Sequence, residues 1–149
     1  MGAKQVRVER GTGRTVAWLA RQVELVLAEH ELTLAQYRLL GLLEDHPEVA
    51  SVLADKLTVS RPSVTTVADG LVARGLVERV NDTQDRRRVN HALTDSGRQL
   101  LHHADEVIES GLGSVLGHLE PAGARDIAAG FGSLQALIDR IIDEHGEPR

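Results

Sequence analysis

The chain has no cysteine. Disulfides, thiolate metal sites, cysteine nucleophiles and thiol redox switches are therefore excluded outright. Aromatic residues are nearly as scarce: Trp18, Tyr37 and Phe131 are the whole set. No stretch reaches the roughly 18 consecutive apolar residues that a membrane helix needs, and Met1 to Arg10 is polar and charged, without the apolar core of an export signal. A cytoplasmic location with no membrane partner is the expectation. The early Gly11-Thr12-Gly13 is no phosphate loop, because no strand precedes it and no lysine-serine pair follows; it reads as a frayed start. No Ser-His-Asp spacing, nucleotide loop or paired-carboxylate arrangement supports an enzyme, and no cofactor is implied.

What is present is an ordinary globular composition, 42% hydrophobic and 26% charged over 149 residues. A chain of that length is one domain with a real core, burying roughly two thirds of its unfolded surface. The net charge of −5 argues at first against a polyanionic partner. Its distribution argues the other way: Lys56 to Arg98 holds eight Lys/Arg against five acids, a surplus of three that leaves −8 for the remainder. A basic segment in an acidic chain suits one surface meeting phosphate while the rest stays off it.

The periodicity predicts helix, helix, helix, helix, hairpin, helix, helix. Val16, Leu19, Ala20, Val23, Val26 and Leu27 form the 3.6-residue stripe of a first helix over about 9–29. Thr33 and Gln36 have capping-box spacing before a second, which ends at Asp45-His46-Pro47. A short helix over 51–57 and a tight turn at Thr58-Val59 lead to a fourth, with Ser60 as N-cap, Pro62 in the first turn and Gly75 just beyond the end. Two short helices so joined make a helix-turn-helix. Ser60, Arg61, Pro62, Ser63, Thr65 and Thr66 open the second of them, with Arg61 and the small hydroxyl residues on the face that would approach base edges and phosphates. The pattern then turns extended from Val77 to Val80 and from Val89 to Leu93. Between them lies a turn-forming loop tipped by Asp85, Arg86, Arg87 and Arg88, in which Asp85 could orient Arg87 toward a minor groove while Arg86 and Arg88 meet phosphate. Against a solvated charged turn, the nearby helix-turn-helix favours the DNA-facing reading. The last two helices, from Thr94-Asp95 and from Pro121, carry apolar residues stepping by three and four along their whole length, the seam of helices that pack on partner helices.

Other features have plainer readings. His102 and Glu106 lie four apart on the fifth helix and could begin a metal site, but a solvated pair is preferred and no metal is assigned. Trp18 and Tyr37, with Arg21, Arg38 and His30 offering charge for an anionic ligand, could line a small-molecule pocket; for each aromatic alone, a place in the core is preferred. Gly111, Gly113 and Gly117 interrupt a helix at about 1 kcal/mol each relative to alanine, which a close helix crossing or a bend would explain.

The residues Ser60-Arg61-Pro62-Ser63-Val64-Thr65, Leu71, Arg74-Gly75-Leu76-Val77-Glu78-Arg79, Asp85-Arg86-Arg87 and Leu93-Thr94-Asp95-Ser96-Gly97 resemble the MarR family of winged-helix regulators over about 32–101. The resemblance implies a mainly α fold with a small β-hairpin wing. It implies a DNA-binding lobe over 32–93 and a helical dimerisation lobe over 9–30 and 94–145, together forming one chain-length unit, 1–149. It further implies a homodimer that reads double-stranded palindromic DNA with a helix in the major groove and a wing arginine in the minor groove, most often as a repressor released by a small-molecule effector. Thr66 and Gly70 depart from the family's usual basic or longer polar residues there, which shifts weight to the wing. The rival reading is a sensor of small molecules or metal that acts through a protein partner.

Overall fold

The computed structural model describes residues 6–82, 85 and 88–146. Its elements run α1 (Thr12–Glu29), α2 (Leu34–Leu42), β1 (Glu48–Val49), α3 (Ala50–Leu57), α4 (Arg61–Ala73), β2 (Val77–Asn81), β3 (Val89–Leu93), α5 (Asp95–Leu116) and α6 (Pro121–Gly146). This is the mainly α architecture with a small antiparallel sheet that the sequence predicts. Helix α1 begins three residues later than its stripe suggested, because Gly11 takes φ +102° and breaks the helical path there.

Local capping explains most of the boundaries. Thr33 accepts the Gln36 amide while the Gln36 side chain accepts the Thr33 amide, so the predicted capping box opens α2. Thr58 sits in the left-handed region at φ 57° and ends α3, and Ser60 caps α4 by accepting the Ser63 amide. At the other end of α4, Gly75 at φ +69° donates to Val72 and Leu76 donates to Leu71, a reciprocal pair that turns the chain out of the helix and into β2.

The sheet has three strands in the order β1-β3-β2. The hairpin was expected, but β1 was not: Glu48 and Val49 pair with His91 and Asn90, placing β3 in the centre. A two-residue strand is too short to carry a periodicity of its own. In the hairpin, Val77 pairs with Leu93 and Arg79 with His91.

The core is built on the helix-turn-helix. Leu27, Leu32, Leu39, Leu40, Leu43, Leu53, Leu57, Val64, Ala68, Leu71, Leu76, Val77, Leu101 and Ala104 are buried in one cluster. Helix α5 buries Leu101 and Ala104 of its first half in this cluster, and Leu100 and Ile108 pack against it half-buried. Its start is docked tightly: the Thr94 hydroxyl donates to the Gly75 carbonyl at 2.7 Å and accepts the Gly97 amide at 3.0 Å. A Cβ on Gly97 would lie 2.0 Å from the Leu76 carbonyl oxygen, so only glycine allows this approach.

The outer helices are different. Val16, Trp18 and Leu25 of α1, Val115 at the end of α5, Leu119, and Ile127, Phe131, Leu134, Leu137, Ile138 and Ile141 of α6 are all large, apolar and exposed. A Cβ at Gly111 or Gly113 would meet nothing within 4 Å, so neither crossing nor crowding within the chain explains these glycines. No helix of the described residues is long and apolar enough to cross a membrane.

Candidate nucleic-acid interface

On α4, Val64, Ala68 and Leu71 are buried and anchor one face in the core. The opposite face exposes Arg61, Pro62, Thr65, Thr66 and Asp69, with Ser60 and Ser63 exposed at the first turn. All six residues predicted for the recognition helix are therefore brought together on accessible surface. The hydroxyls are not free, however. Ser60 and Ser63 lie 2.8 Å apart, Thr65 donates to the Arg61 carbonyl at 3.0 Å and Thr66 to the Pro62 carbonyl at 3.0 Å.

The wing projects from the edge of the same lobe. Asp82 organises its base: its carboxylate accepts the Asp85 amide at 3.1 Å and the Asn90 side-chain amide at 3.5 Å, and its own amide donates to Arg88 at 3.1 Å. Asp85 and Arg88 are exposed. Arg86 and Arg87, predicted to carry the wing contacts, lie outside the described residues, and with Arg87 the predicted Asp85 to Arg87 contact. Asp82 was legible as a turn former but not as the residue that ties both ends of the loop.

The basic stretch is less free than its charge count suggested. Arg74 donates to the Glu31 carbonyl at 2.6 Å and Arg98 to the Glu44 carbonyl at 3.0 Å, so both spend their guanidinium groups bracing loops. Arg79 of β2 is paired with Asp69 of α4. The Lys56 side chain is only 9% exposed and faces Glu48 at 4.0 Å. Among the described cations of the stretch, Arg61 and Arg88 carry no such engagement. Arg61 stands at the start of α4 and Arg88 just before β3, both exposed.

The Arg79 to Asp69 pair also masks an acid that would otherwise repel phosphate beside Thr65 and Thr66, and it ties the helix to the wing strand. Behind it, in the central strand, is His91, 7% exposed with no partner for Nδ1. Burial pushes its pKa below the usual histidine value; a hydrogen bond with the Glu48 backbone opposes this, and the nearby Arg79 charge adds to the depression.

A second feature is a cleft of about 750 Å³ between α2, α3, α5 and α6. It is lined by Tyr37, Arg38, Leu42, Leu57, Leu101, Ile138 and Ile142, with Glu44, Asp45, Asp105, Glu109 and Asp139 against Arg38 and Lys56. Tyr37 donates to Asp105 across the cleft. Its burial first, then this bond and the charges of Asp105, Glu109 and Glu44, hold the phenol protonated far above its ordinary range.

The predicted pocket set does not converge. Tyr37 and Arg38 line this cleft, whereas Trp18 lies 53% exposed on a separate apolar groove of about 310 Å³ between α1 and α5. Arg21 pairs with Glu24 on the surface of α1, and His30 stacks edge-on against His103 with ring centres 4.8 Å apart. The reason is rotational: α1 turns Trp18 and Arg21 away from α2. The same holds for His102, whose Nε2 meets Glu44 of α2 at 2.7 Å rather than Glu106. Among the described residues no group of three or more His, Asp or Glu is arranged to hold a metal ion.

A helix-turn-helix followed at once by a β-hairpin, with the second helix presenting an accessible face, defines a winged helix-turn-helix protein. Residues 32–89 match the sequence model of the MarR family. The HTH-type transcriptional regulator FarR of Neisseria gonorrhoeae is 27% identical over 125 residues, covering 81% of this chain and 86% of that protein. The homoprotocatechuate degradative operon repressor of Escherichia coli is 31% identical over 85 residues, and the match spans only 57% of its length. Apo wild-type MarR from Escherichia coli superimposes with a TM-score of 0.76 at 19% identity, covering 89% of this chain and 98% of that one, a likeness of fold. Residues 32–89 thus carry a segment of the MarR-family type, a winged helix-turn-helix, and the chain as a whole shares the fold of that structure.

Proposed function

We propose that the protein is a sequence-specific regulator that binds a palindromic operator as a homodimer and most often represses, with a small-molecule effector altering its affinity. The observation that carries this reading is the accessible face of α4 tied to strand β2 of the wing through Asp69 and Arg79, with Arg61 at the start of α4 and Arg88 at the wing base uncommitted. In this reading Ser60, Arg61, Pro62, Ser63, Thr65 and Thr66 enter the major groove and Asp85, Arg86, Arg87 and Arg88 form the minor-groove and phosphate contacts of the wing.

The homodimer rests on the exposed apolar residues of α1, α5 and α6. Monomeric proteins rarely leave contiguous apolar surface beyond a few hundred Å² uncovered. A second copy of the same helices covers it by two-fold symmetry and sets the two recognition helices about one DNA turn, roughly 34 Å, apart. Residues 32–93 then act as the DNA-binding lobe, and 9–30 with 94–145 as the dimerisation lobe.

The cleft between α2, α3, α5 and α6 is the proposed effector site. Its lining carries more carboxylates than cations, so it suits an amphipathic cation rather than the anion expected when Arg21 and His30 were counted among its walls. Occupancy would move α5, and with it Gly97 and the end of α4.

The deciding experiment is fluorescence anisotropy of a duplex from the protein's own upstream region against a scrambled duplex at two salt concentrations. Tighter binding to the cognate duplex, falling steeply with salt, supports the reading. Arg87→Ala then lowers the salt slope by about one unit, the amount for one lost phosphate neutralisation. Equally weak binding to both duplexes counts against it and brings forward a sensor that acts through a protein partner.

A further inference from the structure

We infer that Thr65 and Thr66 read thymine by its C5-methyl group, so that the operator half-site requires T·A pairs opposite these two residues. The inference rests on the DNA-binding reading above and adds the chemistry by which α4 discriminates bases. A threonine can address a base edge with its hydroxyl as donor or acceptor, or with its γ-methyl. In α4 the donor is already spent, because each hydroxyl hydrogen is directed to the carbonyl one turn back, at Arg61 and at Pro62.

With Oγ1 folded onto the helix backbone, the group left to project from each Cβ is the methyl. Both side chains are exposed, and the ring of Pro62 is exposed beside them, one turn toward the helix start. Together they form a small apolar strip on a helix otherwise prepared for a polar groove. The serines are committed too, Ser60 to capping the helix and Ser63 to Ser60. The group that a major groove offers to an apolar strip is the thymine methyl, since the other exposed edge positions are hydrogen-bond donors and acceptors.

The test uses the full-length protein. Duplexes bound by it are selected from a random pool, and the selected site is rebuilt with single deoxyuridines in place of thymidines, which removes one methyl and leaves the pairing unchanged. The expected result is a loss of about fourfold in affinity at one or two thymines per half-site, the factor for one buried methyl-sized group, and none at the others. Thr65→Val and Thr66→Val, which keep the methyl and drop the hydroxyl, keep the preference for thymine over uracil. Thr65→Ser and Thr66→Ser, which do the reverse, lose the preference for thymine over uracil. Equal affinity for the thymine and uracil duplexes overturns the inference without any variant having to fold; a thymine preference lost in the valine variants and kept in the serine ones overturns it as well. If no duplex is selected at all, the DNA-binding reading fails and this inference fails with it.

Discussion

The two ends of helix α5 live in different environments. Near its start, Gly97 is pressed against the Leu76 carbonyl, and Leu101 and Ala104 are buried in the core. Near its end Gly111 and Gly113 face open space, and Val115 and Leu119 are 48% and 45% exposed. The first half belongs to a lobe that packs against itself within one chain, and the second half, with α6 and the outer face of α1, has not completed its burial. Complete burial and uncovered apolar surface therefore coexist along one helix.

The largest effect should come from charging the open face. Phe131→Glu with Leu134→Glu places two carboxylates where the proposed second copy packs, at a cost of several kcal/mol for unpaired buried charge. Sedimentation should then report a folded 16.2 kDa species instead of one twice that mass, and operator binding should fall with it. An unchanged mass would remove the proposed partner from this face.

On the closed side of the comparison, Leu53→Ala opens a cavity in the fully buried cluster and should cost about 2–5 kcal/mol by chemical denaturation. A loss under 1 kcal/mol would mean that the cluster is not the main source of stability. Gly97→Ala tests the joint. Its added Cβ must push α5 off the α4 to β2 turn, for which about 1–3 kcal/mol of overpacking is expected, together with weaker DNA binding than the stability loss alone explains.

The smallest effect expected is the pH response of His91. Because burial lowers its folded pKa, the unfolded chain binds the proton more readily. The stability this side chain allows is complete above its ordinary value of about 6.5 and is lost as pH falls through the folded value. Thermal melts should decline below neutrality, and His91→Gln should flatten that decline. An identical pH profile in the variant would assign the acid sensitivity to other groups.

Capping signals and periodicity made most of this fold legible. The Thr33 to Gln36 box, the Ser60 cap, the Gly75 exit and the hairpin are all encoded within a few residues of where they act, and local hydrogen bonds are what end helices and form turns. The exposed face of α4 was legible for the same reason, since burial at Val64, Ala68 and Leu71 fixes which residues point away. The roles of individual polar groups were less so. Arg74 and Arg98 counted as DNA-facing charge until their carbonyl partners, 43 and 54 residues away, became visible. The pocket set failed similarly, because membership of a cleft depends on how neighbouring helices are rotated, and the stripes on α1 and α2 do not state that angle.

The sequence by itself determined the helices and the hairpin, their order, the winged helix-turn-helix and the presence of an apolar seam on the outer helices, because each follows from spacings of two, three or four residues. The tertiary structure decided which arginines are braces and which remain free, that β1 completes the sheet around His91, that His102 answers Glu44, and that Gly97 is a point of contact rather than a flexible link. Those outcomes depend on pairs far apart in the chain, brought together only when burial of the common core fixes how the helices lie against one another.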